Sequence, residues 1–197
     1  RRRRHAVRGG PIPAFRGAAG AGQGRWCGGL RAGRRISPDD SVHRRDGCCG
    51  RAGWVSDVDG YRYSTRDTHT QLPWPPLPPL LLDISRRAAA LARFDGFVPD
   101  SCLINCYEPG ARMSLHQDRN EKDFTAPIVS LSLGLPAIFL FGGMQRSGRP
   151  QRHLLLHGDA VVWGGPARLR FHGILPLADG YHPLLGRRRI NLTLRKA

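Results

Sequence analysis

The stretch Leu115-His116-Gln117-Asp118 sets an imidazole and a carboxylate two residues apart. Along an extended strand, positions i and i+2 share a face, so His116 and Asp118 are expected to address one point. Such a pair supplies two of the three protein ligands of a 2-His-1-carboxylate site, which holds Fe(II) and leaves its other positions to substrate and oxygen. The third ligand should be a histidine from a distant strand. His172, in the strand-like run Arg170-Phe171-His172-Gly173-Ile174, is the best candidate. An isolated His-x-Asp pair is more often a surface pair or a satisfied core group, so this motif alone does not establish a metal. His157-Gly158-Asp159 is a weaker copy, since its Gly-Asp reads as the turn opening the next strand. His153 and His157 read as ordinary edge histidines.

A second signal is the strict alternation of Arg189-Ile190-Asn191-Leu192-Thr193-Leu194-Arg195. One face carries Arg189, Asn191, Thr193 and Arg195, and the other Ile190, Leu192 and Leu194. Two guanidinium forks beside an amide and a hydroxyl make an anion-binding surface that matches carboxylates. The competing reading is a solvated edge strand guarded by charge. In a third strand, Leu103-Ile104-Asn105-Cys106-Tyr107, the residues Leu103, Asn105 and Tyr107 share a face and could serve the same acid.

Positioning these groups takes a scaffold of short strands. Runs at 101–107, 128–133, 137–141, 152–156, 160–163, 169–174 and 190–194 are apolar or alternating and bounded by Gly, Pro or Asp. This pattern predicts a mainly β, α+β protein built as a jelly roll. A helix over 80–94, with apolar residues at Leu81, Ile84, Ala88 and Leu91, should pack outside it. The proline-rich run 72–79 reads as a stiff connector into that helix. Trp54, Tyr61 and Tyr63 lie in a polar, turn-rich segment. No βαβ rhythm, P-loop or GxGxxG is present.

Charge divides the chain. Lys+Arg total 31 against 15 Asp+Glu, but residues 1–45 hold 12 Arg and only two acids. Residues 1–47 are an Arg/Gly-rich segment without periodicity. We expect this segment to be either disordered or translated out of frame, with a single domain over 48–197. A basic nucleic-acid-binding arm is the competing reading. Five irregularly spaced cysteines with no CxxC argue for reduced thiols and a cytoplasmic location. The longest apolar stretch falls short of the roughly 20 residues of a membrane span, so no membrane partner is expected.

Together these segments resemble the AlkB family of Fe(II)/2-oxoglutarate-dependent dioxygenases, bacterial nucleic-acid demethylases above all. The residues that carry the likeness are 102–110 (CLINCYEPG), 115–118 (LHQD), 126–139 (APIVSLSLGLPAIF), 157–165 (HGDAVVWGG), 172–174 (HGI) and 189–195 (RINLTLR). The likeness covers about three-quarters of the chain, from Cys49 to Arg195. It implies a double-stranded β-helix with iron held by His116, Asp118 and His172. It also implies 2-oxoglutarate beside Leu103, Asn105, Tyr107 and Asn191, with Arg189 on its distal carboxylate and Arg195 near its chelating end. O2 would be the second cosubstrate. The implied reaction is oxidation of an N-methyl group on a 1-methyladenine- or 3-methylcytosine-type base, with release of formaldehyde, succinate and CO2.

By the same likeness Trp54 stacks on the damaged base opposite His116, Tyr63 lines the cavity, and Tyr61 and Arg146 contact nucleic acid. The implied partner is alkylated single-stranded DNA or RNA, met by a monomer. Two departures stand out. Asn120 occupies a position where close relatives carry Asp, which removes a charge from the base-reading group. Residues 1–47 do not resemble the family's β-rich nucleotide-recognition lid. Two alternatives are an Fe(II)/2-oxoglutarate hydroxylase of another substrate, and a truncated nucleic-acid-binding pseudoenzyme.

Overall fold

The computed structural model describes residues 31–32, 44–58 and 60–197. Among the described residues, twelve strands and one α-helix follow in the order β1 (Arg31–Ala32), β2 (Arg44–Gly50), β3 (Gly53–Asp57), β4 (Gly60–Ser64), α1 (Pro79–Leu91), β5 (Ser101–Tyr107), β6 (Met113–His116), β7 (Ile128–Gly134), β8 (Ala137–Phe141), β9 (Gln151–Leu155), β10 (Ala160–Trp163), β11 (His172–Ile174) and β12 (Arg189–Arg195). They form a six-stranded sheet in the order β1-β2-β5-β12-β7-β10, a four-stranded sheet in the order β6-β11-β8-β9, and the hairpin β3-β4. Every pairing is antiparallel.

This is the expected jelly roll with a helix outside it. One apolar cluster, including Met113, Ile128, Phe139, Trp163 and Ile174, fills the space between the two sheets. A second cluster seats Leu81, Ile84, Ala88 and Ala89 of α1 on the outer face of the large sheet, against Val129, Leu131, Val162 and Leu194.

The helix begins with Pro79 in its first turn, where a missing N–H costs nothing. It stops at Leu91, three residues short of the expected end, because Arg93 turns left-handed at φ +66°. The N–H of Arg93 then bonds the Ala90 carbonyl at 2.9 Å and that of Phe94 bonds the Ala89 carbonyl at 2.9 Å, closing a Schellman motif. The proline run behaves as a strut. Trp74 within it donates Nε1–H to the Ser64 carbonyl at 2.8 Å and lies so close to Gly53 that a Cβ there would sit 2.3 Å from the ring.

Two readings need correction. β12 is not an edge strand, because it pairs with β5 on one side and β7 on the other. The segment holding Trp54, Tyr61 and Tyr63 is a hairpin and not a turn-rich loop. Strand β2 pairs with β5 from Arg44 to Gly50, across the position where the domain was expected to begin. The rest of the expectation for 1–47 lies outside the described residues. Among the described residues no helix is long and apolar enough to cross a membrane.

Candidate active site

β11 lies between β6 and β8, and its register sets His172 directly across from His116 and Phe141. Sheet pairing therefore brings together two histidines 56 positions apart (172 − 116). The close approach needs Gly173, where a Cβ would lie 2.6 Å from the Met113 carbonyl oxygen. Asp118 does not share the strand as expected, because β6 ends at His116 and Asp118 follows in the loop. It converges all the same: Asp118 Oδ1 is 3.7 Å from His116 Nε2, and Oδ2 is 3.6 Å from His172 Nε2. One ligand atom from each of the three residues lies within 4.8 Å of the others.

The protonation states suit a cation. His116 Nδ1 is 2.8 Å from the Ser114 carbonyl oxygen and His172 Nδ1 is 3.1 Å from that of Arg170. A carbonyl only accepts, so each Nδ1 carries a proton and each Nε2 is left as the ring nitrogen facing the cluster. Burial and the neighbouring His172 push the His116 imidazole down to about 4, which keeps it neutral. Burial alone would raise the Asp118 carboxyl, but Arg195 and then the histidines override it and hold it well below the usual carboxylate range. Asp118 Oδ2 lies 2.7 Å from Arg195 Nη2 yet receives no well-aligned hydrogen bond. Two imidazoles facing one point with Nε2 and an underused carboxylate fit a divalent iron.

Around this cluster lies a cavity of about 400 Å³. Its floor comes from β5, β6, β11 and β12, with apolar wall from Met113, Phe139, Trp163 and Ile174. The polar face of β12 points into it, and Arg189, Asn191, Thr193 and Arg195 are all buried. Arg189 is 1 % exposed. Its Nη2 donates to Ser132 Oγ at 3.0 Å, while Nε and Nη1 meet no partner among the described residues. Its guanidinium stacks over the Tyr107 ring at 5.2 Å. Burial lowers its pKa, yet an arginine keeps its charge. A buried guanidinium with two unmet donors fits a carboxylate brought by a ligand. Asn105 Oδ1, also buried and unmet, lies on the same cavity wall.

Of the other expected residues, Leu103, Tyr107, Trp54, Tyr61, Asn120 and Arg146 line the cavity. Asn191 lines it too, but its amide is already committed to Ser130 Oγ, the Leu131 carbonyl and Thr193 Oγ1. It shapes the wall more than it offers a free donor. Tyr63 is not among the residues lining the cavity; its hydroxyl donates to Glu121 Oε1 at 2.6 Å and accepts from Arg195 Nη1 at 3.1 Å. At the rim, Trp54 and Tyr61 stack on each other with centroids 5.3 Å apart and planes 13° apart. Asn120 Nδ2 donates to the Tyr61 carbonyl at 3.2 Å. The decoy His157 is engaged elsewhere, accepting the Gly134 N–H and stacking on His182. Glu121 and Arg168, both buried beside the cluster, were missed. Neither stands in a motif, and only the folded loop brings them to Asp118.

Comparison with known proteins agrees with this geometry. The profile of the 2OG-Fe(II) oxygenase superfamily matches residues 23–195. The alpha-ketoglutarate-dependent dioxygenase AlkB of Salmonella typhimurium is 56% identical over 149 residues, covering 76% of this chain and 69% of the relative. The DNA N(6)-methyladenine demethylase ALKBH1A of Arabidopsis thaliana is 38% identical over 122 residues, covering 61% of this chain and 35% of the relative. The solved structure of OsALKBH1 superposes with a TM-score of 0.72 at 25% identity over 83% of each chain. This chain belongs to the AlkB dioxygenases of the 2OG-Fe(II) oxygenase superfamily.

Proposed function

We propose that the protein oxidatively demethylates N-alkylated bases, of the 1-methyladenine or 3-methylcytosine type, in single-stranded DNA or RNA. The observation that carries this reading is one cavity holding three things. These are a two-histidine, one-carboxylate cluster, a buried arginine with unmet donors, and a stacked aromatic pair at the mouth. When bound, Fe(II) with 2-oxoglutarate and O2 supplies the oxidation that hydroxylates an N-methyl group and splits the oxoacid into succinate and CO2.

The chain's own residues do the rest. His116, Asp118 and His172 hold the metal. Arg189 takes the distal carboxylate of the oxoacid, and Arg195 stands beside its chelating end. Leu103, Asn105, Tyr107 and Asn191 shape the pocket between them. A base oxidised at its methyl must leave its stack, at a cost of a few kcal/mol, and needs a new π surface. Trp54 offers that surface, and a cationic base gains further attraction there. Tyr61 and Arg146 meet the flanking strand, Asn120 faces the base edge as a neutral group, and Tyr63 braces the hairpin from behind. The site is made wholly within one chain, which suits a monomer. The free thiols of Cys48, Cys49, Cys102 and Cys106 suit a reducing cytoplasm.

The test is succinate formation with and without an oligonucleotide carrying 1-methyladenine or 3-methylcytosine. Succinate and formaldehyde formed together, dependent on the lesion, support the reading. Succinate formed at the same rate without any oligonucleotide supports a hydroxylase of another substrate. No succinate under either condition points to a pseudoenzyme.

A further inference from the structure

Sheet pairing fixes His116 and His172, but Asp118 lies beyond the end of β6 and needs another anchor. A buried ring of charged groups meets that need. Arg168 Nη1 donates to the main-chain carbonyl of Asp118 at 2.8 Å, and its Nη2 lies 3.1 Å from Glu121 Oε2. Glu121 Oε1 accepts from the Tyr63 hydroxyl at 2.6 Å and stands 3.5 Å from Arg195 Nη1. Arg195 Nη2 returns to Asp118 Oδ2 at 2.7 Å. The circuit thus begins at the backbone of Asp118 and ends on its side chain. The Glu121 and Arg168 side chains are 1% and 3% exposed. Two cations face two anions, so the ring is neutral.

We propose that Glu121 and Arg168 are positioning residues for Asp118, holding its carboxylate at the histidine pair and keeping Arg195 from claiming both of its oxygens. The proposal rests on the reading that His116, Asp118 and His172 bind the metal. The physical reason is competition for charge. A guanidinium fork matches a carboxylate bidentately. Without the charge of Glu121, two buried guanidiniums would share the single carboxylate of Asp118, and Arg195 would rival the metal for it. Arg168 supplies the complementary restraint by holding the backbone of the same residue.

Cobalt(II) alone, titrated into the full chain, is the probe, and its visible absorption bands report the ligand geometry. In Glu121→Gln and Arg168→Lys the cobalt affinity should fall about 10-fold or more, as for other groups that orient metal ligands. The bands should shift while the circular dichroism stays native. Tyr63→Phe, which leaves the charged ring whole, should weaken cobalt by about twofold to fivefold. A folded Glu121→Gln with wild-type affinity and bands overturns the proposal, even if its thermal midpoint drops. Should Glu121→Gln not fold, wild-type cobalt affinity and bands in a folded Arg168→Lys overturn it. Wild-type cobalt binding that survives His116→Ala overturns the metal assignment itself, a failure distinct from that of the ring.

Discussion

The floor and the rim of the cavity are built in opposite ways. On the floor, Arg189, Asn191, Thr193 and Arg195 are buried on a central strand, and ladder hydrogen bonds hold that strand from both sides. At the rim, Trp54 and Tyr61 sit on a two-stranded hairpin outside both main sheets, Tyr61 is 47% exposed, and Asn120 and Arg146 are exposed on loops. A two-stranded ribbon is marginal by itself. The difference separates two tasks. On the proposed reading, the histidines and arginines that meet a metal and a small acid are placed by the sheets, and the groups that would meet a nucleic-acid strand stand on a hairpin and loops outside them.

The sharpest way to break this division is to remove a floor ligand. His116→Ala should abolish iron-dependent turnover while the fold persists, because the imidazole stands partly open at the cavity and supports no core cluster. Normal turnover measured as succinate release would contradict the assignment. Next in size is Arg189→Ala. Losing a charge-assisted contact of about 3 kcal/mol should raise the apparent KM for 2-oxoglutarate roughly a hundredfold. The oligonucleotide KM should barely move, and equal effects on both would argue against the separation of floor from rim.

The mirror-image change, Trp54→Ala, should raise the oligonucleotide KM about tenfold, the cost of one lost base–aromatic stack. The KM for 2-oxoglutarate should hold. The smallest effect concerns Cys48, which ties floor to rim by donating its thiol to the Trp54 carbonyl at 3.7 Å. Burial pushes this thiol up to about 12 from its usual 9. The unfolded chain therefore loses the proton first, so the stability linked to Cys48 is intact below pH 9 and is lost as pH rises toward 12. Denaturant midpoints at pH 8 and pH 10, compared with Cys48→Ala, measure it; an equal fall in both proteins would show that Cys48 is not the cause.

The floor was legible in the sequence because period-2 alternation shows in residue type. The run Arg189 to Arg195 announces two faces, and the fold places the polar one inward, as the anion-binding reading required. The edge-strand alternative failed because alternation cannot tell which face meets water. The histidine pair was legible as chemistry, but its convergence depends on a register that no local pattern encodes. The hairpin was hidden because its residues, GWVSD and GYRYS, mix polar and aromatic types without clean alternation. Glu121 and Arg168 were invisible for a related reason: they sit in irregular backbone, where spacing carries no meaning.

One consequence follows from the position of β12 between two neighbours. Gain or loss of a single residue within it would flip the side chains on one side of the change to the opposite face, so Arg189 and Arg195 could no longer both point into the cavity. A length change is easier to absorb in a loop such as 142–150, which no strand pairing holds on both sides.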